Sequence, residues 1–244
     1  MKNYPIAIKP FGESALLIEW PEQVEESILT DILDFVDSFK ELGLPNWEMS
    51  VAYNSLTMVH HGDPIDFDEV KKTIQDCHRQ SKEGASKRTR FLWTLPVCYD
   101  PEFGIDLEEV CHVLGLSSEE LIRQHTSQNY LVYGIGFLPG FMYLGGLPQT
   151  LEIPRRAEPR LQVAKGSVGL AAKQTGIYPQ ESPGGWNIIG NCPIPLFNPM
   201  AKEASFVKVG DKIRFQGIER AEYELHKIEA EVGIYKPEKR KLDA

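Results

Sequence analysis

Between Gly134 and Pro199 the chain packs 11 of its 20 glycines and 9 of its 17 prolines into 66 residues. Glycine opens backbone conformations closed to other residues and proline fixes φ, so this stretch has to be a stiff, turn-dense surface. Phe137, Phe141, Tyr143, Tyr178 and Trp186 punctuate it. A low-complexity linker lacks such apolar anchors. Arg155, Arg156, Arg160, Lys165 and Lys173 face only Glu152, Glu158 and Glu181 here, a local charge of +2 (five minus three) in a chain of net charge −9. The segment reads as a scaffold that bears a site.

At 244 residues the chain has room for one large domain or two ordinary ones. Its 42% apolar and 25% charged residues suffice for a proper core. The acidic balance speaks against nucleic acid as a partner, because phosphate binding needs a basic face. No run approaches a membrane span, and the opening MKNYPIAIKPFGES has no apolar signal core. Cys77, Cys98, Cys111 and Cys192 lie far apart without a C-x-x-C pair, which suggests buried, reduced thiols of a cytoplasmic protein. His60-His61 lacks a third ligand at useful spacing, so no metal site is expected.

Taken in order, Tyr4–Lys9 and Ser14–Trp20 read as strands, and Pro21 suits the first position of a helix carrying Val24, Ile28, Ile32, Phe35, Phe39 and Leu42. A strand pair over Trp47–His61 follows, then a helix capped by Asp66 with Glu69 three residues on, and one more strand at Phe91–Val97. Gly84 is expected to end that second helix. This order predicts a small α+β sandwich, the split βαβ or ferredoxin-like arrangement, over residues 1–86. The basic run Ser81–Arg90 marks the boundary. Residues 87–244 then predict two short helices, one capped by Asp106 and one starting at Ser117 or Ser118, followed by seven short strands of a closed or nearly closed barrel. Those strands are Tyr130–Gly136, Leu151–Pro154, Leu161–Val163, Ser167–Ala172, Trp186–Ile189, Phe206–Val209 and Lys212–Phe215. A terminal helix over Glu219–Glu231 and a frayed tail from Lys236 complete the chain.

Standard motifs fail in the Gly/Pro segment. Lys165-Gly166-Ser167 has Walker letters in the wrong order, Gly134-Ile135-Gly136 lacks the third glycine of a dinucleotide fingerprint, and Gln180 stands where a nucleophile elbow needs glycine. What remains is a constellation. Arg155, Arg156 and Arg160 are interleaved with Pro154 and Pro159, which holds their planar forks on an extended loop suited to a carboxylate, carbamate or phosphate. The competing reading is a purely structural arginine network. Gly184-Gly185 could form an N–H nest for an oxyanion, or merely a turn, while Trp186 could flank a ligand or plug the barrel. Ser182 stands in the same loop. Gln174 and Tyr178 could orient an amide, Tyr143 could line the pocket, and His125 could serve as a general base or as a structural histidine. Arg155 and Arg160, as exposed loop residues, are expected to add little to stability.

GF-x-PGF-x-YLGGLP, PRR-x-x-PR, GSV, QTGIYP, SPGGW-x-IG and PLF-x-P together resemble the family of 5-oxoprolinase B subunits, also called allophanate hydrolase subunit 1 or kinase A inhibitor proteins. The resemblance covers nearly the whole chain. It implies an N-terminal α+β domain and a cyclophilin-like β-barrel. It also implies a protein without activity of its own, joined by the 5-oxoprolinase C subunit, a homologous barrel, and by the A subunit. Together they would open 5-oxoproline to L-glutamate with ATP, as Mg-ATP, on a site on or shared with a partner. Alternatives inside the family are an inhibitory module for a sensor histidine kinase and a carboxyltransferase or allophanate hydrolase-type subunit of urea breakdown. Lys165, where the family pattern has no cation, departs from the resemblance and raises a more anionic ligand as an option. Met142, which replaces a proline, is a second departure from the pattern.

Overall fold

In the computed structural model residues 4–81 and 88–242 are described. The chain divides after Thr89 into two compact units, each with its own core. The boundary expected at 86/87, and Gly84 as a helix stop, lie outside the described residues.

The first unit is an antiparallel sheet in the order β1 (Ala7–Pro10), β2 (Ala15–Glu19), β4 (Ser55–His60), β3 (Trp47–Ala52). Alternation along the strands sends Leu16, Ile18, Leu56 and Met58 to one side, where helices α1 (Glu26–Glu41) and α2 (Phe67–Gln80) cover them with Ile28, Ile32, Phe35, Phe39, Ile74 and Cys77. α1 starts later than expected, because Pro21 closes a tight turn with Gln23 and leaves Val24 exposed. Asp66 caps α2, its carboxylate accepting from the N–H groups of Asp68 and Glu69.

The second unit is a closed barrel of seven strands. Around it run β6 (Tyr130–Ile135), β13 (Lys212–Ile218), β5 (Arg90–Cys98), β12 (Asn187–Asn191), β9 (Ser167–Ala171), β10 (Gln174–Ile177) and β7 (Met142–Gly145), which pairs back to β6. The period-2 rule splits its side chains between two cores. Val168, Leu170, Ile177 and Ile189 point inward with Leu95, Val97, Tyr130 and Phe215. Ala171 and Ile188 point outward, where Phe141, Tyr178 and Trp186 form a second cluster. Over that outer cluster lies a separate two-stranded ribbon of β8 (Arg160–Val163) and β11 (Ser182–Gly184).

Several expected strands differ. Leu161–Val163 belongs to the ribbon instead of the barrel, Leu151–Pro154 makes only one bridge, Ile153 to Ala172, and Phe206–Val209 forms no strand. β7, β10 and β11 lie where turns or loops were expected. The tail is not frayed through Leu242, because β14 (Glu238–Leu242) pairs with the first half of β5 and seats Lys239 over the rings of Phe91 and Trp93. Helices α3 (Leu107–Leu114), α4 (Ser118–Thr126) and α5 (Arg220–Glu231) complete the unit. The four cysteines are free and buried. Among the described residues no helix is long and apolar enough to cross a membrane.

Candidate functional site

The bridge between Ile153 and Ala172 launches residues 154–160 across the outer cluster, and the Arg156 N–H donates to the Gly185 carbonyl at 2.8 Å. Beneath this loop lies a hollow of about 190 Å³. Phe137, Phe141 and Trp186 form its aromatic wall, Tyr143 and Tyr178 bring hydroxyls, and Arg155, Arg156, Pro159, Gly184 and Gly185 close its rim. Phe141 meets Trp186 and Tyr178 edge-on, with centroids 5.4 and 5.5 Å apart, which locks the wall. Burial raises the Tyr178 hydroxyl above its ordinary range, while a hydrogen bond from the Trp186 backbone N–H and the charges of Arg155 and Arg160 pull it part of the way back. The ring therefore stays neutral and can donate a hydrogen bond.

Asp106 decides which arginine forks are taken up by an internal carboxylate. The residue is 2% exposed, stands before the first turn of α3, and takes N–H donors from three directions. Arg160 chelates both its oxygens, Arg156 donates at 3.1 Å, and the Ile188 N–H donates at 2.7 Å. Arg156 also reaches Glu109 at 3.1 Å. Two of the three forks are thus spent on an internal carboxylate, as the structural reading of the arginines allowed. Arg155 is exposed and has no carboxylate partner among the described residues. Sequence reasoning saw Asp106 only as a helix cap. Its cap geometry is in fact unused, since its side chain caps none of the α3 N–H groups.

Other expected site residues fall elsewhere. His125 is fully buried, stacked on Phe215, with Nδ1 bonded to the Tyr99 hydroxyl at 2.7 Å and Nε2 to the Thr175 hydroxyl at 2.9 Å. Desolvation depresses its pKa to about 3. A ring with both nitrogens engaged inside the barrel core cannot reach a substrate, so the general-base assignment is corrected to a structural one. Gly184 lies in β11 with extended pairing, and the Gly184-Gly185 pair forms no left-handed nest. Glycine is required at 184 because any Cβ there would collide with the Tyr178 hydroxyl. Ser182 pairs with Val163 in the ribbon and Gln174 opens β10, and neither lines the hollow. Lys165 lines a separate groove with Tyr223 and Lys227, away from the arginine loop. Trp186 plugs no barrel; it covers the outer face.

A closed barrel, an arginine loop anchored on Asp106 and an aromatic hollow beneath it make up the candidate site. The chain belongs to the carboxyltransferase domain family, subdomain C and D, whose model matches residues 6–207. It is 35% identical over 234 residues to the 5-oxoprolinase B subunit of Bacillus subtilis, covering 91% of this chain and 97% of that one. With the 5-oxoprolinase B subunit of Escherichia coli O157:H7 it shares 44% identity over 206 residues, 84% of this chain and 92% of the relative. Among solved structures it resembles TTHA0988, with a TM-score of 0.73 and 28% identity over 87% of this chain. The urea carboxylase of Kluyveromyces lactis shares the fold at a TM-score of 0.81 and 16% identity over 98% of this chain. This chain spans 40% of the first and 24% of the second.

Proposed function

We propose that this chain is the B subunit of a cytoplasmic, ATP-dependent 5-oxoprolinase that opens 5-oxo-L-proline to L-glutamate together with the A and C subunits. The observation that carries the reading is 35% and 44% identity, over 91% and 84% of this chain, to two proteins of that name. The hollow supports it chemically. A five-membered lactam fits an aromatic-walled space of about 190 Å³, its carboxylate matches the free fork of Arg155, and Tyr143 or Tyr178 can hydrogen-bond the lactam. In the reaction water adds to the lactam carbonyl, the C–N bond breaks and the ring nitrogen leaves as the amine, driven by hydrolysis of ATP. The hollow does not fit ATP by itself, because it is small and one of its two arginines, Arg156, is paired with Asp106. ATP is therefore assigned to a partner or to a shared site, and this chain's part is to hold and orient the lactam. In this reading the first unit is the ferredoxin-like split βαβ, supported by β4 lying between β2 and β3, and the second is the cyclophilin-like barrel.

The test mixes the purified chain with the A and C subunits, 5-oxoproline and Mg-ATP. Glutamate should appear only in the full mixture, and its absence with every component folded rejects the proposal. A urea-directed role has fold-level likeness behind it, and a biotinylated partner found by streptavidin blotting of the complex would favour it instead.

A further inference from the structure

We propose that the solvent face of α5 is a docking seam for an amphipathic helix of a different polypeptide, one whose apolar seam is flanked by lysines and arginines. Its chemistry is independent of the reaction assigned above. The helix is amphipathic twice over. Tyr223 turns its ring toward the barrel, and Lys227 and Ala230 join it in lining the groove there. On the opposite side Ala221, Leu225, Ile228 and Val232 recur at spacings of 4, 3 and 4, the a/d rhythm of a helix–helix seam. Three of them are large and uncovered, with Leu225 at 53%, Ile228 at 58% and Val232 at 64% exposure, and Ile234 extends the patch at 66%. A helix needs one apolar stripe to hold its place on a barrel, and that work falls to the other face.

The flanks choose the occupant. Each position beside the seam, equivalent to e and g, is a glutamate: Glu222 and Glu229 on one edge, Glu224 and Glu231 on the other. Arg220 lies 3.4 Å from Glu224, and His226 touches Glu222 and Glu229, so these carboxylates stay oriented on the helix surface. A second copy of this chain would set glutamate against glutamate in either orientation, a like-charge penalty that disfavours self-pairing. A helix with basic flanks meets the same seam with opposite charge.

Fluorescence anisotropy with two synthetic heptad peptides, both with Leu/Ile at a and d, tests this on the full chain; one carries Lys and the other Glu at e and g. The Lys-flanked peptide should bind at least tenfold tighter, weaken with salt, and lose at least tenfold on Leu225→Asp with Ile228→Asp. Glu224→Lys with Glu231→Lys, which leaves one edge acidic and makes the other basic, should abolish the preference, and changing Glu222 and Glu229 to Lys as well should reverse it, which keeps the test decisive if the aspartate variant folds poorly. Equal binding of the two peptides, or self-association through this face in sedimentation velocity, overturns the proposal. With the A and C subunits present, assembly that survives the aspartate pair also overturns the seam while leaving the oxoprolinase reading intact. Failure of the wild-type chain to assemble at all rejects that reading and leaves the peptides to judge the seam.

Discussion

Asp106, Arg156 and Arg160 show how one buried carboxylate allots roles to neighbours of the same type. Removing one partner of a buried pair leaves the other charge uncompensated. Arg160→Ala is therefore expected to cost about 2–3 kcal/mol, which at this chain length means a melting point lower by roughly 5–10 °C in calorimetry. The expectation that these loop arginines are exposed holds for Arg155 and not for Arg160, which is paired with a buried carboxylate. Arg155→Ala should stay within about 0.5 kcal/mol of wild type and yet raise KM for 5-oxoproline in the assembled complex at least tenfold. A melting profile that drops for Arg155→Ala and not for Arg160→Ala would reverse the two roles. His125 makes a third prediction at this scale. Its pKa falls from 6.5 to about 3 on folding, so the unfolded chain binds a proton in that window and the folded chain does not. Stability must then fall as pH drops from 6.5 toward 3, by up to about 1.4 kcal/mol per pH unit from this group. His125→Gln, which cannot titrate, should flatten that slope in denaturant titrations at pH 7, 6 and 5.

Among the elements, the short strands explain most of what sequence reading misplaced. β7 is Met-Tyr-Leu-Gly and β10 is Gln-Thr-Gly-Ile, four residues each with a glycine, and local propensity at such a length favours turns. Their partners supply the stability: Gly145 lies so close to the Tyr133 ring, and Gly176 to Trp186, that a side chain at either would intrude. β14 is a further case. Glu-Lys-Arg-Lys-Leu has no apolar alternation, and its place depends on the open edge of β5 and the rings beneath Lys239. A chain ending at Lys236 should therefore fold, while backbone amides of Arg90–Thr94 exchange at least tenfold faster by mass spectrometry. Unchanged exchange would show that β14 contributes nothing to that edge.

On the scale of the molecule, the two cores share no residue. The core of the first unit draws on Leu16 to Cys77 and the barrel core on Trp93 to Phe215. A fragment spanning 90–242 should consequently unfold in one cooperative transition and keep the near-ultraviolet signal of Trp186 and its neighbours. A molten, ANS-binding fragment would show that the barrel depends on the first unit.

Periodicity and turn residues were enough to read both helices of the first unit and to mark the Gly/Pro segment, whose residues line the candidate hollow. Those signals are local, written in spacings of two and 3.6 and in residues that restrict φ, so they survive without a partner in view. Which strands close the barrel, that His125 sits in its core, and that Asp106 takes Arg156 and Arg160 while Arg155 faces the hollow were decided by contacts between residues some 50 positions apart. Three arginines in one loop are chemically equivalent until a buried carboxylate far along the chain is brought among them, and only folding brings it there.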